Sequence, residues 1–503
     1  MGRSGQIMIL AALLLVGMLA LAGLAVDGAR LFQARHQLQH ALDGAALAAA
    51  SQFRLGRSDA DLRQAAQDFL RAQGFAVTWV QIYTCSSPGP YAGELCTDPP
   101  RKLVRVDAGV RVPTTFLRVV GWDAVDLRGT ATGEAASVDL VLIIDNSESM
   151  AHETPLVAVF PNPGEITCIP GSPTPETECA PPQKPHFCNP TDSCQPFRQV
   201  KDAAMELVGR MYFPYDRVAV VSFDRRATIH LDLQNGVDLA TVQNRIRGLQ
   251  VYDPAIDPPA AQRPTDGTAC AGMDCTSGRC RLIYPYVPAS DADPRPCQSS
   301  NLQEALAAAR FLLGTQGRSD ALWAVVLLSD GAPNATMPVD TGGPMERRYG
   351  LCPKVNTSGP YWYWPPDPYY RPLCQDADFE SRHPPNSPAY DPEDMALDEA
   401  EALARMNVVV FTIGYGRRLH ALNVKPGGGR DPDLGEKFLR YVADITDGDP
   451  GNACLVRGDY FSPAAVWKPR GEPCSNYFFA PDANQLRRIF LTIAERIFTR
   501  LNR

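Results

Sequence analysis

Five residues in a row, Asp145-Asn146-Ser147-Glu148-Ser149, set one carboxylate and two hydroxyls at alternate positions directly after the apolar run Val138 to Ile144 (VDLVLII). On a tight loop, alternate residues turn toward a common point. One carboxylate with two hydroxyls is an oxygen-only donor set, which suits Mg2+, Mn2+ or Ca2+ better than zinc. An Asp/Ser turn that simply caps a following helix would use the same letters. Two further segments bear on the choice. Ser300-Asn301 opens the periodic stretch Leu302-Gln303-Glu304-Ala305-Leu306, and Ser329-Asp330-Gly331 closes the apolar run LWAVVLL. Asp145 and Asp330 therefore both stand where a buried strand should end, and ligands of open α/β sheets bind beyond the carboxyl ends of the strands.

Strands and helices alternate through this part of the chain. Val138 to Ile144, Arg217 to Phe223, Leu322 to Leu328 and Val408 to Ile413 are continuous apolar runs of the kind that form the interior of a parallel sheet. Ala227 to Leu233 reads as an edge strand and Tyr477 to Ala480 as a last short one. Between them, Phe197 to Tyr212, Val237 to Leu249, Leu302 to Leu313, Pro392 to Met406 and Asp433 to Ile445 have helical periodicity, and a terminal helix spans Asp482 to Leu501. Such alternation specifies an α/β fold with a doubly wound, mostly parallel, Rossmann-like sheet. Three Pro-rich stretches interrupt it, 151–195, 251–298 and 333–390, and they are expected at the surface.

The three loops together resemble the metal-ion-dependent adhesion site of von Willebrand factor A domains. The resemblance covers 137–503. It implies that Asp145, Ser147 and Ser149 supply the first loop, Ser300 the position usually held by Thr in the second, and Asp330 the Asp of the third. Mg2+, with Mn2+ or Ca2+ as alternatives, is the implied ion. The implied partner is a protein that offers an Asp or Glu carboxylate to it. Serine in place of threonine keeps the hydroxyl but loses the methyl that restricts χ1, so the ligand is less preorganised. Asn146 and Glu148 are expected to point away from the ion.

Ahead of that region, Ile7 to Val26 is an uncharged apolar run of 20 residues, just long enough as a helix to cross a bilayer core of about 30 Å. A cleaved signal peptide ending near Ala20-Leu21-Ala22 is the other reading. A helical pattern continues from Asp27 to about Ala72. Phe75 to Ile82 and Leu103 to Ala135 then turn to alternating β-branched residues, which predicts a small sheet over 51–136 together with its helix. Gly5-Gln6, Asp27, Leu38-Gln39 and ALDGAALAAA at Ala41 to Ala50 are similar to the N-terminal region of TadE/TadG-type proteins of Tad (Flp) pilus assembly, over residues 1–50. That resemblance implies a membrane-anchored, pilin-like α+β module and a pilus or secretion apparatus as partner. The prepilin pattern of a Glu five residues into the apolar run is missing.

The chain has 503 residues and a formal net charge of -8, with no basic excess to neutralise phosphates, so nucleic-acid binding has no support. Its 14 cysteines fall in even numbers per loop, as local disulfides in an oxidising compartment require. The clearest expected pairs are Cys85 with Cys96, Cys352 with Cys374 and Cys454 with Cys474. Zinc is the competing use, but paired CxxC knuckles are missing. The expected location is the cell membrane, with a single pass and the C-terminal region extracytoplasmic. An enzyme is not expected: the sequence has no HExxH, GxSxG or GxxxxGK[ST]. The alternatives to adhesion are a structural minor pilus component with a vestigial metal site and a metal-dependent hydrolase. Arg457-Gly458-Asp459 and the Asp444, Asp447, Asp449 set are read as turns.

Overall fold

The computed structural model describes residues 3–54, 56–151, 188–224, 226–252, 300–333, 379–385, 392–416 and 433–500, with a few shorter stretches. It divides into two compact units, 1–137 and 138–503.

The first unit is built on α1 (Arg3–Arg54), a continuous helix of 52 residues that contains the whole apolar run. Among the described residues no helix is long and apolar enough to cross a membrane, and most side chains of 3–20 lie outside the described set. The predicted single helical stretch from Asp27 to Ala72 is in fact two helices. Gly56 turns the chain at φ 66°, and Ser58 starts α2 (Asp59–Ala72) with a capping box. In that box Ser58 Oγ accepts the Asp61 N–H at 3.3 Å while the Asp61 carboxylate accepts the Ser58 N–H at 3.1 Å, satisfying two amides that the helix itself leaves unpaired. Then β1 (Val77–Tyr83), β2 (Lys102–Pro113) and β3 (Ala124–Ala135) form an antiparallel sheet in that order. The later half of α1 buries Leu38, Leu42, Ala45, Ala46 and Ala49. It comes so close to β3 that a Cβ on Gly133 would lie 2.5 Å from the Ala46 backbone, so this position accepts only glycine.

The second unit starts with β4 (Ser137–Asp145), followed by α3 (Phe197–Val208), β5 (Arg217–Phe223), β6 (Ala227–Leu231), α4 (Leu239–Arg247), α5 (Leu302–Gln316), β7 (Ala321–Ser329), α6 (Pro392–Arg405), β8 (Val409–Tyr415), α7 (Leu434–Asp447), β9 (Tyr477–Ala480) and α8 (Ala483–Arg500). The sheet order is β9-β8-β7-β4-β5-β6. β9 with β8, β8 with β7 and β4 with β5 pair in parallel, whereas the edge pair of β5 and β6 is antiparallel. Alternate residues of the central strands serve two cores. Leu140, Leu142 and Ile144 face one side with α3 and α8, and Val141 and Ile143 face the other with α5, α6 and α7. That division explains why these strands read as unbroken apolar runs. At the amino ends of β4 and β5 the buried Asp139 carboxylate takes Arg217 Nη2 at 2.6 Å and Arg318 Nη2 at 2.7 Å, which closes the end of the sheet away from the candidate site.

Three disulfides are present among the described residues: Cys85 to Cys96, Cys188 to Cys194 and Cys454 to Cys474. Two of them are pairs expected from spacing. Cys352 and Cys374, the third expected pair, lie outside the described residues, as do most of 251–298 and 333–390. Of the acidic set, Asp444 and Asp447 lie in the last turn of α7 and Asp449 follows it: Gly448 ends the helix at φ 71°, and the Asp444 carboxylate accepts the Cys454 and Leu455 N–H groups and the Tyr460 hydroxyl. Gly458 likewise turns at φ 98°.

Candidate metal centre

The chain moves outward from β4 in both directions, to β5 and β6 on one side and to β7, β8 and β9 on the other. The gap between the carboxyl ends of β4 and β7 is thus the point at which the winding reverses, and helices leave in opposite directions there to open a crevice. Asp145 is the last residue of β4 and Asp330 the first after β7.

The first loop is held by its backbone. The Asn146 N–H donates to Phe223 O at 3.0 Å, and Asn146 O accepts the Tyr252 N–H at 2.7 Å. The Asn146 side chain donates to Gln250 O at 3.0 Å, turned toward that strut, as expected of a residue outside the donor set. A 3-10 turn over Glu148–Ala151 then brings Ser147 and Ser149 to one side. Their hydroxyls are 2.8 Å apart, and Ser149 Oγ donates to Asp330 Oδ1 at 2.8 Å. Asp145 Oδ1 accepts the Ser147 N–H at 3.0 Å. Four of the five sequence-derived residues therefore form one connected group across the first and third loops.

Ser300 enters from the second loop. The Asn301 N–H donates to Asp224 O at 2.6 Å, and the Asn301 side chain caps α5 by accepting the Glu304 N–H at 2.9 Å. Glu304 in turn accepts the Ala227 N–H at 3.2 Å. This ties the start of α5 to the β5–β6 hairpin and leaves Ser300 buried against the third loop, its Oγ 3.6 Å from where a Cβ on Gly331 would stand. Ser329 is a member that sequence reasoning did not single out. Its hydroxyl donates to Asp145 Oδ2 at 2.8 Å and accepts the Gly331 N–H at 3.2 Å, so it fixes the orientation of one carboxylate and the turn that carries the other. Its signal was its place, one residue before Asp330 at the strand end.

The electrostatics favour a cation. Burial and the neighbouring Asp330 carboxyl push Asp145 up to about 7, against the pull of its bonds from Ser147 and Ser329. Glu153, whose carboxylate accepts the Tyr415 hydroxyl, is also raised, first by loss of water around it and then by Asp482 and Asp330. A divalent ion between Asp145 and Asp330 would replace that repulsion with attraction, and the donors within reach are all oxygens, the chemistry of hard cations. The residues present fit such an ion. Among the described residues no group of three or more His, Cys, Asp or Glu is placed to share one; the set here is two carboxylates and three hydroxyls.

Residues 5–52 match the sequence model of the Flp pilus-assembly TadE/G-like family. This is the segment that begins with the apolar run and continues along α1, so the first unit carries a Tad-like region. No curated protein matches the sequence at a significant level. Among solved structures, the chain is similar to the von Willebrand factor domain of the type V pili tip protein Mfa5 from Porphyromonas gingivalis, at 14% identity over 73% of this chain and 97% of that one, TM-score 0.35. It is also similar to proximal thread matrix protein 1 from the mussel byssus, at 12% identity over 72% of this chain and 47% of that one, TM-score 0.30. A further structure of the mussel protein has a zinc-occupied adhesion motif, at 12% identity over 72% of this chain and 46% of that one, TM-score 0.30. The chain thus spans about half the length of the mussel protein. The second unit has a mixed α/β architecture with a mostly parallel central sheet.

Proposed function

We propose that this chain is a membrane-anchored, extracytoplasmic adhesion or assembly protein that holds a divalent cation through Asp145, Ser147, Ser149, Ser300 and Asp330, and that it is not an enzyme. The observation that carries the reading is two buried carboxylates, brought from separate strand ends to the reversal point of the sheet and joined through Ser147 and Ser149. Mg2+ is the preferred candidate, with Mn2+ or Ca2+ as alternatives. When bound, the ion would supply an electrophilic position for an Asp or Glu carboxylate of a protein partner. The chain's own residues prepare that position: Ser329 orients Asp145, Asn146 and Asn301 pin the first and second loops, and two carboxylates roughly balance the ion's charge without completing a shell of six or more oxygens.

The apolar run Ile7 to Val26, inside one unbroken helix, supports a membrane anchor. The Tad-like match over residues 5–52 supports a Tad/Flp pilus or secretion apparatus as the setting. The disulfides support an oxidising compartment outside the cytoplasm. Calorimetry on the detergent-solubilised full chain tests the centre. Mg2+ or Mn2+ should bind at millimolar concentration or tighter, and binding should be lost in Asp145→Ala and Asp330→Ala variants that retain native circular dichroism. Absence of divalent-ion binding by the native chain would leave a structural pilus component with a vestigial site as the better reading.

A further inference from the structure

Where α1 leaves its apolar run, a turn of the small sheet is fastened to it. The β2–β3 connection contains a 3-10 turn over Leu117–Val120. The buried Asp27 carboxylate accepts three consecutive backbone N–H groups at its start, from Thr115 at 3.0 Å, Phe116 at 2.7 Å and Leu117 at 2.6 Å. Loss of water alone would raise the Asp27 carboxyl, but these donors outweigh it and hold it below its usual range. Arg30 adds a bond to the Thr115 hydroxyl. One turn earlier on the helix, a Cβ on Gly23 would lie 2.8 Å from the Phe116 side chain, so only glycine lets the ring sit there. The level of the turn along α1 is therefore fixed at Gly23 to Asp27, the last residues of the apolar run and the first charge after it.

At that level the turn exposes large apolar side chains: Phe116 is 49% exposed, Val119 85% and Trp122 64%. On the helix itself, Leu21 at 69% and Leu24 at 54% are exposed at the same height. Soluble surfaces show such residues singly, and a group of them marks an interaction site. Here the group is continuous in height with a run that has the length of a membrane span, and Arg30 and Arg35 follow directly after it. A tryptophan beside the last apolar turn, with arginines just beyond, is the arrangement of the interface between bilayer and water. We infer that the 116–122 turn is a second membrane anchor, with Phe116, Val119 and Trp122 entering the headgroup region of the bilayer that α1 crosses. The inference rests on the membrane-spanning reading of Ile7 to Val26. A contact off the helix axis would stop the small sheet from rotating or sliding along the membrane normal, giving the first unit a fixed height above the lipid.

The test uses the full chain in vesicles of phosphatidylcholine and phosphatidylglycerol, compared with Trp122→Phe so that the difference in emission isolates Trp122. Lipids brominated near the headgroup should quench that emission by roughly twofold or more, as for a side chain at the interface, while aqueous iodide should have little effect. Val119→Asp, at a position too exposed to disturb the fold, should abolish the lipid quenching while the protein still floats with the vesicles after an alkaline wash. If the native chain does not float, the membrane-spanning reading fails and this inference with it. If it floats but Trp122 is quenched by iodide and not by lipid, or if Val119→Asp changes nothing, the second anchor alone is wrong and the face is left to a protein partner.

Discussion

Replacing Asp145 by asparagine should make the metal-free protein more stable and the metal-bound protein less so, a reversal that a purely structural role for this carboxylate would not give. The Asp145 side chain keeps its bonds in the variant: the new amide oxygen can still accept the Ser147 N–H, and Ser329 can donate to Gly331 O, 3.1 Å away, while accepting from the new amide nitrogen. What disappears is a charge that burial and Asp330 disfavour. Its carboxyl is carried from an ordinary 3.8 to about 7, which corresponds to on the order of 4 kcal/mol once the pH exceeds the upper value. The sign follows from proton linkage. A raised value in the folded state contributes stability that is complete below about pH 4 and is lost as pH rises through about 7. In chelator, the native protein and Asp145→Asn should therefore melt together near pH 4 and diverge toward pH 8, where the variant's Tm should be higher by roughly 5–10 °C. Mg2+ at a hundredfold excess over its Kd should then return about 2.7 kcal/mol to the native protein alone. Thermal melts by circular dichroism, with disulfides intact, read all three quantities. Equal melting temperatures at pH 8 in chelator, or equal Mg2+ effects on both proteins, would refute the reasoning.

Two other outcomes are expected. Ser300→Thr restores the methyl that restricts χ1, so Mg2+ affinity should be kept or raised; calorimetry showing a loss of more than about tenfold, or 1.4 kcal/mol, would remove Ser300 from the donor set. Mass mapping of unreduced peptides should find Cys85 with Cys96, Cys188 with Cys194 and Cys454 with Cys474, whereas free thiols with stoichiometric zinc would contradict the oxidising compartment.

Legibility in the sequence differed by element, and the reason is physical. β4, β5, β7 and β8 were readable because a parallel strand covered on both faces must be apolar at every position, and both carboxylates of the site were found through those strand ends. The helix break near Gly56 was hidden. Ser58 and Asp61 are a visible cap, but the alanine-rich pattern runs through it on both sides. Strand order was also out of reach of composition and periodicity, because it is a tertiary property, and with it went the role of Ser329, which matters only because β7 lies beside β4.

Strand order is also what connects fold to chemistry. Were β7 to pair elsewhere, Asp145 would keep the cost of its burial but lose the second carboxylate that adds to it. Side by side at the reversal point, each raises the cost of ionising the other, and the sheet that enforces this is held at its far end by Asp139 between Arg217 and Arg318. The repulsion is therefore stored by packing and not by the loops themselves. A bound cation would release it, and the release would be available to a partner only if the ion's remaining position faced outward. Ser149, half-buried between Ser147 and Asp330, is the member of the group nearest to solvent. The partner's carboxylate should accordingly approach over Ser149, on the side of the crevice where the first and third loops meet.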